Sequence, residues 1–140
     1  MHLLTSMKTA HYRLLAALWT VGILVAMSIP AGNLAAVEPG IGTDKIVHAF
    51  LFTGFGLLWL RGLCPPDEDK LLTCFRRRGG LFFVAGVLFA AGTEVYQHLL
   101  PVQRMADPYD ATADLIGLTV VFVGYYVYHV RRADRMSAPS

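Results

Sequence analysis

Four apolar runs, separated by short polar connections, take up nearly all of this 140-residue chain. A run of about 20 apolar residues rises about 1.5 Å per residue as a helix and so spans the roughly 30 Å hydrocarbon core of a bilayer. Lipid offers the backbone no hydrogen-bond partner, so only helices and closed barrels cross it. Nothing here alternates with period two over several segments, which excludes the barrel. The runs predict helices over about 12–30, 44–63, 80–100 and 108–130. The expected fold is therefore all-α, an integral membrane bundle of about four transmembrane helices in one domain. With 55% hydrophobic and only 16% charged residues, the chain leaves no room for a separate soluble catalytic domain.

The breaks between runs carry their own chemistry. Pro30, Gly32, Pro39, Gly40 and Gly42 make a loop of 31–43. Thr43 can cap the second helix, and Cys64-Pro65-Pro66 closes it, because proline cannot continue the backbone ladder. The charged stretch 66–78 reads as a loop, Pro101 stops the third helix, and Asp107-Pro108 opens the fourth with an N-cap followed by a first-turn proline. A basic start and a small-residue stretch near Asn33 also fit a signal peptide, but the first run is longer than most such cores, so a retained helix is expected. Residues 131–140 read as a basic, flexible tail.

Charge assigns the sides. Every Lys and Arg except Lys45 and Arg104 lies in the N-terminal flank, the 61–78 connection with its edges, or the tail. The positive-inside rule then places both termini and that connection in the cytoplasm, with loops 31–43 and 101–107 outside. Short basic clusters beside apolar runs are topology signals and give no stripe for nucleic acid. Cys64 and Cys74 flank the cytoplasmic connection, where thiols stay reduced. Their spacing is a poor zinc signature, and no metal or cofactor is expected.

The remaining polar residues gather toward the outer ends with helical spacing. Asp44 and His48 share a face of the second helix, with Lys45 beside them. Glu94, Gln97 and His98 lie on the third helix, and Asp107, Asp110, Asp114 and Gly117 run along one stripe of the fourth. Arg104 sits between these two helices. Glu94 and Asp114 each lie about 9 Å from a helix end. An ionised side chain at the bilayer centre costs about 2.5–3.5 kcal/mol on insertion scales, so such groups face the bundle interior and find partners. Lys45, His48 and Arg104 are the candidates, and Gly117 would admit a neighbouring helix close by. Taken alone, Asp44, Asp107 and Asp110 read as helix-end dipole partners. Tyr125, Tyr126 and Tyr128 read as an interfacial belt, and the histidines at the flanks, His2, His11 and His129, carry no signal.

These residues resemble the VanZ-like family of small bacterial membrane proteins. The chain reads Asp44-Lys45-Ile46-Val47-His48, then Glu94-Val95-Tyr96-Gln97, Pro101 and Arg104, then Asp107, Asp110, Asp114 and Gly117. The likeness covers roughly 43–124. Asp114 stands where the family usually carries asparagine, so an ionisable group replaces an amide. The resemblance implies the bacterial cytoplasmic membrane, a link to envelope glycopolymers or their lipid carriers, and a role in envelope homeostasis or glycopeptide tolerance. Function must still be argued from the site.

Two readings of different classes follow. In the first, an extracytoplasmic-side polar pocket of Asp44, Lys45, His48, Glu94, Gln97, Arg104, Asp107, Asp110 and Asp114 binds a membrane lipid or a lipid-linked envelope precursor, with Lys45 and Arg104 holding its anionic group. A catalytic version would use Glu94 or His48 as general acid or base, but no nucleophile elbow, P-loop or zinc motif accompanies them. In the second reading the chain is an accessory or scaffold subunit of a larger membrane complex, and the polar residues lock its helices. Transport is the weakest option, since four helices make a narrow path and no paired broken helices are present.

Overall fold

The computed structural model describes residues 2–29, 43–65, 71–99 and 108–137. They form four long helices, each holding a stretch long and apolar enough to cross a membrane: α1 (His2–Ser28), α2 (Thr43–Leu63), α3 (Leu71–Leu99) and α4 (Pro108–Ser137). No strand occurs among the described residues. The protein is an all-α, multi-pass membrane bundle.

Three helices run further than the apolar runs. No glycine or proline interrupts the sequence between His2 and Gly22, so α1 starts well before Tyr12. The charged stretch read as a loop is largely helical, because Leu71–Cys74 already forms a helical turn. It continues through a π-helical turn, Phe75–Gly79, into Gly80–Leu99. Arg76, Arg77 and Arg78 face outward while Cys74, Phe75 and Gly79 are buried. Phe75 is the anchor, its ring 4.5 Å from that of Phe122 and stacked on Tyr125 at 6.0 Å. A charge run thus hides a one-sided apolar turn. The basic tail likewise continues α4 to Ser137, with Arg135 in a last turn where the helix dipole favours a cation.

Contacts between helix ends fix how the chain winds. Arg13 Nε donates to Gly62 O at 2.8 Å, and Arg61 Nη1 donates to the Tyr12 hydroxyl at 3.3 Å, so the start of α1 lies beside the end of α2. The Tyr125 hydroxyl donates to Cys64 O, bringing the later part of α4 to the same end. Arg13, Arg61, Arg76, Arg77 and Arg78 therefore share one end of the bundle with Arg131 and Arg135. This is the partition that the positive-inside rule requires.

Cys64 and Cys74 meet at this basic end, their sulphurs 2.7 Å apart and both residues buried. Their sequence spacing suggested no relation, but the start of α3 packs against the end of α2, where the Cys74 thiol also lies 3.3 Å from Leu63 O. Treating membranes with copper–phenanthroline is expected to close an intramolecular disulfide, read as loss of both maleimide-reactive thiols. Cys64→Ser should leave Cys74 reactive. Two thiols that stay reactive in the wild type would separate these helix ends.

Packing is densest between α2 and α4, then between α1 and α2. Phe52 and Phe55 of α2 meet Phe82 and Phe89 of α3 at centroid distances of 5.2–5.7 Å. Such aromatic pairs contribute about 0.5–1.5 kcal/mol beyond area burial. On the α1 side, Trp19 Nε1 donates to Leu51 O at 2.9 Å and Trp59 Nε1 to Thr20 Oγ1 at 3.1 Å. At Gly117 the backbones of α2 and α4 approach closely. A Cβ there would collide with the backbone oxygen of Ala49 and sit 3.1 Å from its Cα.

Candidate functional site

The Gly117–Ala49 contact sets the register of everything polar above it. His48 precedes Ala49, and Asp114 lies one turn before Gly117, so the close approach sets these two side chains face to face. His48 Nδ1 donates to Asp114 Oδ1 at 3.0 Å. One turn nearer the helix start, Asp110 Oδ2 lies 3.9 Å from His48 Nε2, and Asp110 Oδ1 accepts from Lys45 Nζ at 3.0 Å. Lys45 also sits over the Tyr109 ring, 5.7 Å from its centroid. Thr53 closes the deep side, its hydroxyl within 2.7 Å of Ala49 O and 3.3 Å of Gly117 O. Helical steps of three and four residues on two facing helices thus give a ladder of polar pairs. Its rim is exposed at Asp44 and Tyr109 and partly exposed at Lys45. Its floor is buried, with His48 3% and Asp114 0% exposed.

The third wall comes from α3. Thr93, Glu94 and Gln97 are buried, whereas His98 points outward. Glu94 reaches the floor: it, His48 and Asp114 each offer a ligand-type atom, all within 4.8 Å of one another. Asp44, His48 and Asp110 form a second such group nearer the rim. Asp114 Oδ2 is buried and has no hydrogen-bond partner among the described residues. Asp114, at 0% exposed, is the most enclosed polar residue of the cluster. Ser28 and Tyr96 share a hydroxyl hydrogen bond of 2.9 Å that ties α1 to α3.

Of the residues expected to form a polar pocket, Lys45, His48, Glu94, Asp110 and Asp114 come together, with Gln97 buried one turn from Glu94 on α3. Asp44 joins them from the rim. Arg104 and Asp107 lie outside the described residues, as does Pro101. The helix-end reading of Asp110 is extended: it lies in the first turn of α4 as expected, and is also buried and bonded to Lys45. Two further readings change. Tyr125 is not a belt residue but buried, whereas Tyr126 and Tyr128 are exposed as a belt requires. His129 is buried with its ring 4.4 Å from Tyr125, on the same α4 face one turn on. Its position four residues after a tyrosine was the available signal.

No protein-family model matches the sequence, and neither curated proteins nor solved structures contain a significant match.

Proposed function

We propose that the chain is a VanZ-like protein of the bacterial cytoplasmic membrane that binds the anionic head group of an envelope lipid or lipid-linked precursor at the outer end of its bundle. One observation carries this reading. The polar ladder between α2 and α4 grades from an exposed rim at Asp44, Lys45 and Tyr109 to a buried floor at His48, Asp114 and Glu94. Helix packing alone is poorly served by so many ionisable groups, because a buried pair offers little net stability over apolar side chains of similar volume. A rim cation paired with a carboxylate and flanked by an aromatic ring suits exchange. A phosphate can compete with Asp110 for Lys45 while Tyr109 keeps the ammonium in place. The role that follows is envelope homeostasis or glycopeptide tolerance.

The test is native mass spectrometry of the protein released from a gentle detergent. A specific phospholipid or polyprenyl-phosphate adduct is expected on the wild type and should fall at least tenfold in Lys45→Gln. Adducts that match bulk lipid and ignore this change would abolish the reading. Co-purification with a larger assembly would favour the accessory-subunit alternative.

A further inference from the structure

Three helices deliver one ligand-type side chain each to the floor of the ladder: His48 from α2, Glu94 from α3 and Asp114 from α4. These positions are 46 and 20 residues apart in sequence order, so no short motif announces them. Their donor atoms nonetheless lie within 4.8 Å of one another. The residues are 3%, 8% and 0% exposed respectively, and Asp114 Oδ2 has no hydrogen-bond partner among the described residues. We infer that His48, Glu94 and Asp114 bind a divalent first-row transition-metal ion, with Asp110 orienting the imidazole.

Charge is the first argument. Two carboxyl groups on the floor of an apolar bundle are costly as anions, and a buried charge is tolerated when it is paired or coordinates a metal. One divalent cation with two carboxylates and a neutral imidazole sums to zero. Lys45 is placed differently, at the rim with its ammonium 3.0 Å from Asp110.

Geometry is the second. Nitrogen and oxygen ligands hold zinc at about 2.0–2.2 Å, which sets neighbouring donors about 3–3.5 Å apart. His48 Nδ1 and Asp114 Oδ1 are already at 3.0 Å. The Glu94 carboxylate lies within 4.8 Å of its two neighbours, so binding would draw it closer. A metal on the Nδ1 edge would replace the proton shared with Asp114 and leave Nε2–H to close the 3.9 Å gap to Asp110 Oδ2. A carboxylate behind a ligating imidazole is the usual outer-shell arrangement, and it fixes the ring tautomer.

Ligand type is the third. One imidazole and two carboxylates, with no thiolate, suit zinc, manganese or iron(II), while the nitrogen donor disfavours magnesium and calcium. Cys64 and Cys74 are at the other end of the bundle and take no part.

Full-length protein without an affinity tag, in detergent, would be stripped with EDTA, given zinc chloride or manganese chloride and desalted. Retained metal is then measured by plasma mass spectrometry and affinity by calorimetry. The expected result is one zinc per chain, with manganese bound more weakly as the general affinity order requires. Glu94→Gln and Asp114→Asn should each weaken zinc binding at least tenfold and keep the wild-type elution volume. His48→Gln should do the same. The same retention in a Cys64→Ser, Cys74→Ser background excludes thiol binding. Wild-type protein that retains no zinc overturns the inference. So does zinc retained equally by folded Glu94→Gln and Asp114→Asn, since the ion would then lie elsewhere. The lipid adduct of the preceding proposal is read separately, through Lys45, so either idea can fail alone.

Discussion

Replacing Gly117 by leucine is expected to leave no stably packed bundle. The cause is local and cannot be relieved by a rotamer change, because the atom a new Cβ meets belongs to the backbone of Ala49. Either α4 moves away from α2 or one helix bends. Moving apart breaks the Thr53 hydroxyl contact with Gly117 O, now 3.3 Å, and pulls Asp114 from His48. Overpacking typically costs about 1–3 kcal/mol, and a buried pair broken from one side costs about 3–5 kcal/mol. The sum rivals the whole stability of a small domain, about 5–15 kcal/mol. Gly117→Ala should already lower the unfolding midpoint in an SDS titration followed by Trp19 and Trp59 fluorescence. Gly117→Leu should elute as aggregate or fail to accumulate. A leucine variant with a wild-type midpoint would mean that α2 and α4 do not approach at this point. As a control, Gly124→Leu adds the same bulk where nothing lies within 4 Å of a new Cβ, and should change little.

The reasons Gly117 could be singled out from sequence also show where such reading stops. A small residue in register with Asp110 and Asp114 marks a close helix approach, because only a short distance lets short carboxylates reach across. Helix number and the gathering of the basic residues at one end of the bundle were legible for similar reasons, since length, hydropathy and the placement of arginines are one-dimensional signals. The start of α3 was hidden, because Arg76, Arg77 and Arg78 outweigh the single face made by Cys74 and Phe75. The contact between Cys64 and Cys74 was hidden too, since it depends on how the start of α3 packs against the end of α2. Within the site, period alone put Glu94 and Gln97 on one face and His48 below Asp44. It could not place Asp110 with Lys45 rather than at a solvated helix end, nor show that Asp114 pairs with His48. Those depend on the rotation of α4 about its axis, which the contact of Gly117 with the Ala49 backbone restricts.

His48 and Asp114 should show the strongest coupling in the molecule. Asp114→Leu leaves a buried imidazole without its hydrogen-bond partner, and His48→Leu strands a carboxyl group that is fully enclosed. Each is expected to cost about 3–5 kcal/mol, the usual penalty for removing one member of a buried pair. Replacing both removes the stranded group along with its partner, and buried pairs exchanged for apolar residues of similar volume are often neutral or better. The double variant should therefore recover most of the loss, giving a coupling of about 2 kcal/mol or more, within the range seen for residues in direct contact. Additive single effects would separate the two side chains in the folded protein. The recovered double variant is also the most informative reagent for function. It keeps the bundle while removing two of the three ligand-type side chains at the floor. If the polar ladder serves only to lock α2 against α4, the double variant will match the wild type in any cellular assay to which the wild type responds, the proposed glycopeptide tolerance included. If the ladder serves a ligand, a folded and stable protein will have lost its function, and the thermodynamics will already have ruled out misfolding as the reason.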